Sequence, residues 1–92
     1  MYYHIVTNTV KPGTREAYTA ISREFCAAMV EFGAQSATTL YDENNPDSVV
    51  NITIWADQAQ QQAFMASGIP GQFYPRLGPY FAGNSDWYLT EV

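Results

Sequence analysis

The stretch from Ser48 to Trp55, SVVNITIW, constrains this chain more than any other part of it. Its β-branched residues favour an extended strand. Alternation then sends Val50, Ile52 and Ile54 to one face and Asn51, Thr53 and Trp55 to the other. The aliphatic set asks for a dry surface. The opposite set includes an amide, which under a covering layer needs a hydrogen-bond partner or a ligand. From the pattern alone, Asn51 serves either a pocket or a backbone hydrogen bond, and Trp55 either a pocket or a core cap.

The rest of the chain supplies layers for both faces. Residues 2 to 10 read as a strand that Lys11-Pro12-Gly13 breaks. From Thr14 to Phe32, Tyr18, Ile21, Phe25 and Phe32 recur at helical spacing, and Gly33 closes that helix. Residues 34 to 41 pair with 48 to 55 as a hairpin across the turn formers 42 to 47. Asp57 caps a short Ala/Gln-rich helix, and residues 68 to 83 hold enough Gly and Pro to read as irregular, with one or two turns around Phe73 to Leu77. Residues 86 to 92 read as a last strand. This βαββαβ order predicts one ferredoxin-like α+β domain over residues 1–92, with helices on one sheet face. The bare apolar face then needs a partner, and a second copy related by a twofold axis provides it, giving a homodimer.

Charge and cysteine content narrow the partners. A formal charge of −5, with Lys11, Arg15, Arg23 and Arg76 as the only cations, provides no basic stripe for nucleic acid or a membrane surface. The single cysteine, Cys26, allows no internal disulfide. With neither a signal-like start nor an apolar run of spanning length, the expected place is the cytoplasm. The glycines are too widely spaced for a phosphate-binding fingerprint, so no nicotinamide or flavin is expected. The one histidine, His4, has no Cys or carboxylate close by in sequence and reads as structural. Seven Tyr, five Phe and two Trp exceed what a core of this size requires. Tyr18, Phe25, Phe64, Phe73, Tyr74 and Tyr80 are candidates to line a cavity as well as to fill a core.

Lys11-Pro12-Gly13 after the first strand, Gly33 before the second, and the Asn51-x-x-x-Trp55 spacing of the third resemble the antibiotic biosynthesis monooxygenase family of dimeric α+β barrels. The resemblance covers the whole chain. In quinone-forming members the Asn and Trp belong to the pocket, together with an Arg about one helix further on. Arg76 falls near that place if one residue of insertion is allowed. Haem-degrading members use Asn, Trp and His, and here the corresponding positions of the Trp and His hold Phe64 and Tyr74, so the resemblance favours a reaction without a cofactor.

What the resemblance implies is oxygenation of a small electron-rich aromatic by O2. Asn51 and Trp55 would donate hydrogen bonds to a substrate oxygen as negative charge develops on it, and Arg76 would support the same charge. Phe64, Tyr74, Phe73, Tyr18 and Phe25 would form the walls. Two other outcomes stay open on the same scaffold: a polyketide cyclase or isomerase that steers an enolate without oxygen, and a haem-handling or non-catalytic ligand-binding dimer.

Overall fold

The computed structural model describes all 92 residues. The elements are β1 (Tyr2–Val10), α1 (Arg15–Phe32), β2 (Ser36–Tyr41), β3 (Ser48–Trp55), α2 (Gln58–Ala66), α3 (Pro70–Leu77), a short 3-10 turn (Gly78–Tyr80) and β4 (Phe81–Thr90). The strands form one antiparallel sheet in the order β2-β3-β1-β4. This is the ferredoxin-like α+β arrangement, with all helices on one face.

Two segments differ from their sequence reading. The irregular stretch contains a full helix, α3, because Pro70 sits at its first position, where no intrahelical N–H bond is lost. Pro75 lies further in, is exposed, and costs the helix one backbone bond. The last strand starts at Phe81 rather than at Asp86. Its early half contains Gly83, which lies beside a register shift between Thr9 and Val10 and so marks a bulge rather than a break.

The junction between α1 and β2 is tightly specified. Gly33 has φ of 139° and receives the end of the helix, its N–H donating to Val30 O while Ala34 N–H donates to Met29 O. Gln60 on α2 fixes this corner to the next one. Its Nε2 donates to Gly33 O at 3.0 Å and its Oε1 accepts from Ala56 N at 3.0 Å, while Asp57 caps α2 through Gln60 N at 2.9 Å.

The core lies between helices and sheet, centred on the fully buried Trp55, Phe64, Val10 and Val49. The register puts Val49, Asn51, Thr53 and Trp55 of β3 beside Tyr2, His4, Val6 and Asn8 of β1, and those beside Asn84, Asp86 and Tyr88 of β4, all on the helix side. The opposite side carries Tyr3, Ile5, Val50, Ile52, Ile54, Leu40, Trp87 and Leu89, with no layer over it. No helix is long and apolar enough to cross a membrane.

Candidate functional site

Between the sheet and the helices lies a cavity of about 440 Å³. Its floor is made by the three strands that share the helix-facing register, and its walls by Tyr18, Phe25 and Met29 of α1, Gln61, Phe64 and Met65 of α2, and Tyr74 and Leu77 of α3. Phe64 holds the aromatic wall together, with ring centroids 5.4 Å from Trp55 and 5.8 Å from Phe25, and Tyr74 meets Phe25 edge-on at 5.9 Å. The helices cover β3 and β1 but not the edge strand β4, so the cavity opens along Phe81, Asn84, Asp86 and Tyr88.

Asn51 and Trp55 lie in this cavity, as alternation predicted, but their hydrogens are already committed. Asn51 Nδ2 donates to Ser22 Oγ at 2.8 Å and Thr39 Oγ1 at 3.0 Å. Its Oδ1 accepts from Asn8 Nδ2 at 2.9 Å, and Asn8 spends its other hydrogen on Val49 O at 3.0 Å. Trp55 Nε1 donates to Thr53 Oγ1 at 3.2 Å. The expected donor pair is therefore not free. Asn51 is the hub that ties α1, β2 and β1 to β3, a satisfied buried network of the kind that fixes a unique packing.

The polar groups left without protein partners are different ones. Gln61 is 5% exposed and Tyr18 4% exposed, and neither the carboxamide nor the hydroxyl has a hydrogen bond within the chain. Neither is sealed from the cavity, since Thr19 Oγ1 is the only fully enclosed side-chain polar atom that lacks a partner. Burial is the chief cause that pushes the Tyr18 hydroxyl up to about 12, with Tyr74 and Cys26 adding to it, so Tyr18 is a neutral donor at neutral pH. Gln61 shares the inward face of α2 with Phe64, one helical turn away. That phase is the signal in the Gln run that would have singled it out.

A second polar cluster sits at the open side. His4 Nε2 is 2.7 Å from Asp86 Oδ1, Asn84 Nδ2 donates to Asp86 Oδ2 at 2.8 Å, and the His4 ring stacks on Tyr88 at 4.3 Å between centroids and 9° between planes. Burial raises Tyr88 and Tyr74, and the Asp86 carboxylate raises both further, so both phenols stay neutral around the pair. His4, which has no carboxylate neighbour in sequence, thus has one in the fold. Its carboxylate lies 82 positions away in sequence and meets it only through the β1–β4 register.

Of the other expected residues, Phe64, Tyr74, Tyr18 and Phe25 line the cavity. Phe73 does not: it stacks on Phe25 from behind, 4.8 Å between centroids. Arg76 is corrected as well. It turns outward and pairs with Glu24 of α1 at 2.7 Å, both half-exposed, because the α3 helix phase that buries Leu77 puts the preceding residue on the outer surface. Cys26 is buried behind Asn51 outside the cavity lining, and burial pushes its thiol up. No three His, Cys, Asp or Glu side chains converge as a metal-binding group.

The family described as antibiotic biosynthesis monooxygenase matches residues 1–75. The chain belongs to this family. Among solved structures, a putative antibiotic biosynthesis monooxygenase from Nitrosomonas europaea superposes with a TM-score of 0.89 at 15% identity, covering 100% of this chain and 99% of that one. One from Chloroflexus aurantiacus gives 0.78 at 19% identity, covering 100% and 96%. Both establish the fold that the family shares. A zebrafish (Danio rerio) protein described as a transmembrane protein with a metallophosphoesterase domain is 39% identical over 59 residues, 63% of this chain. This chain spans only 14% of that protein's length. The matched region contains the Lys11-Pro12-Gly13 turn and the Asn51-x-x-x-Trp55 spacing of β3.

Proposed function

We propose that this protein is a cofactor-independent monooxygenase that converts a small electron-rich aromatic, such as an anthrone, phenol or hydroquinone, to a quinone with O2. The observation that carries this reading is the aromatic-walled cavity into which the buried Gln61 carboxamide and Tyr18 hydroxyl open without partners. Groups that open on a cavity with no protein partner are free to hydrogen-bond a ligand oxygen. Flat walls of Phe25, Phe64, Trp55 and Tyr74 suit a planar ring system.

The chemistry needs few groups. Loss of a proton turns the substrate into an enolate or phenolate, which passes one electron to O2. The resulting substrate radical and superoxide combine to a peroxide, and loss of water leaves a carbonyl. In sum, a CH2 and O2 give C=O and H2O. The protein's part is to stabilise the oxyanion with Gln61 and Tyr18 as donors, and to shield it from bulk water under α2 and α3. Asn51 and Trp55 hold the floor in place. Either would act as a donor only by giving up a bond to Ser22, Thr39 or Thr53.

The reading includes a homodimer through the uncovered sheet face, where Ile5, Ile52 and Trp87 lie side by side across three strands. The function is tested by incubating chelator-treated protein with anthrone in air. The expected result is anthraquinone absorbance with one O2 consumed per quinone. Absence of uptake with anthrone and with a panel of hydroquinones would sink the proposal.

A further inference from the structure

We infer that His4, oriented by Asp86 and Asn84, is the general base that removes the substrate proton at the mouth of the cavity. The inference rests on the proposed function for the identity of the substrate, but its geometry stands apart from it. An ionised carboxylate only accepts hydrogen bonds, so the 2.7 Å contact requires the hydrogen on His4 Nε2, and in the neutral imidazole this leaves the Nδ1 lone pair uncommitted. Nδ1 has no partner in the chain and is not enclosed, and His4 lines the cavity. Asp86 in turn is held through its second oxygen by Asn84, so the carboxylate cannot rotate away without losing that bond.

This is the base-plus-orienter arrangement in which a carboxylate fixes the imidazole tautomer and stabilises the imidazolium once it forms. The groups facing His4 are Asp86 and Tyr88 from β4, and Tyr74 from α3 across the opening, where burial chiefly, then Tyr88 and the same carboxylate, raise its hydroxyl. Asp86 is thus the one anion beside the ring. The step balances simply. The substrate C–H or O–H bond breaks, its proton passes to Nδ1, its electron pair stays on the substrate as enolate, and the imidazolium is paired with Asp86. Removal of that proton precedes oxygen and does not depend on it. The ring stack with Tyr88 fixes the imidazole plane.

Proton removal is measured apart from oxygenation as deuterium uptake into anthrone in D2O under nitrogen, followed by proton NMR. The wild-type protein is expected to speed exchange over buffer. Replacement H4Q should lower that acceleration about a hundredfold, within the range of general-base contributions. D86N, which keeps the ring but no longer holds the tautomer, should lower it by at least tenfold with anthrone binding unchanged, a split that a purely structural role would not produce. Because His4 is the only histidine, a single 15N-labelled imidazole reports the tautomer directly, and it should be the Nε2-protonated form. Exchange by wild type without O2 uptake would remove the oxygenase reading and leave the base in place. Failure of wild type to accelerate exchange, full exchange by H4Q, or an Nδ1-protonated ring would each overturn the assignment of His4.

Discussion

Asn8 and Asn51 lie on neighbouring strands of the β1–β3 pairing, with Asn8 Nδ2 donating to Asn51 Oδ1 at 2.9 Å, and this bond orients the Asn51 amide so that its hydrogens go to Ser22 and Thr39. Its consequence is that a residue expected to meet substrate is first of all a joint between helix and sheet. Replacement N51A should therefore cost about 1–3 kcal/mol of stability, because it leaves one hydrogen of the buried Asn8 amide without its acceptor and removes the donor that ties Ser22 and Thr39 to β3. Urea unfolding should show a lower midpoint at unchanged slope. A variant of wild-type stability that had lost only turnover would instead make Asn51 a direct substrate donor.

Gln61 should behave in the opposite way. Its carboxamide opens on the cavity with no partner in the chain, so Q61L removes no protein hydrogen bond while keeping volume, and should leave stability unchanged or raised. The loss should fall on ligand. Anthrone affinity, followed by quenching of tryptophan fluorescence, should weaken about tenfold, equivalent to about 1.4 kcal/mol. Unchanged affinity with lower stability would mean that the amide serves the fold alone.

How far these roles were legible in sequence depends on how local their causes are. The two faces of β3 follow from a period of two and needed only eight residues. The Gly33 corner follows from one glycine after an amphipathic run. Arg76 could not be placed from sequence because its direction depends on the phase of α3, a helix that Gly and Pro content concealed. The His4–Asp86 pair depends on a strand register set between opposite ends of the chain, and no spacing rule reports it. Asn51 was found for its polarity on an otherwise apolar strand, yet its partners Ser22 and Thr39 come from two other elements and appear only once α1 and β2 pack.

Alkaline pH provides a readout of cavity burial. Burial raises Tyr18 to about 12, and it also raises Tyr74 and Tyr88, from the ordinary phenol value of 10.0. A group whose folded value is raised favours its protonated form in the native state, so its contribution is fully present below the unfolded value and is lost as pH climbs through the folded one. Stability should therefore decline from about pH 10 toward pH 12, with Cys26 beginning the decline somewhat earlier because its reference lies at 9.0. Y18F should flatten the upper part of that decline when urea midpoints are compared from pH 8 to 11.5. An equal slope in wild type and Y18F would show that the Tyr18 hydroxyl is solvated.

The uncovered sheet face yields the last prediction. Ile52 pairs with Ile5, which pairs with Trp87, and the next row sets Ile54, Tyr3 and Leu89 side by side. Trp87 is 49% and Leu89 48% exposed in the single chain, a degree of apolar exposure that water disfavours and a second copy would relieve. Ile52 lies on β3 with β2 on one side and β1 on the other, so its backbone is paired on both edges and a side-chain change there acts on the surface rather than on the ladder. I52D would bring a carboxylate into the middle of that face, where desolvating an unpaired charge costs several kcal/mol. In sedimentation velocity the wild type should run as a dimer at micromolar concentration, and I52D should run as a folded monomer, its dissociation constant raised at least about a hundredfold. The cavity lies on the other side of the sheet, so an I52D monomer that retains anthrone binding would place the pocket within one chain, while loss of binding together with the dimer would show that the floor needs the second copy to hold its shape.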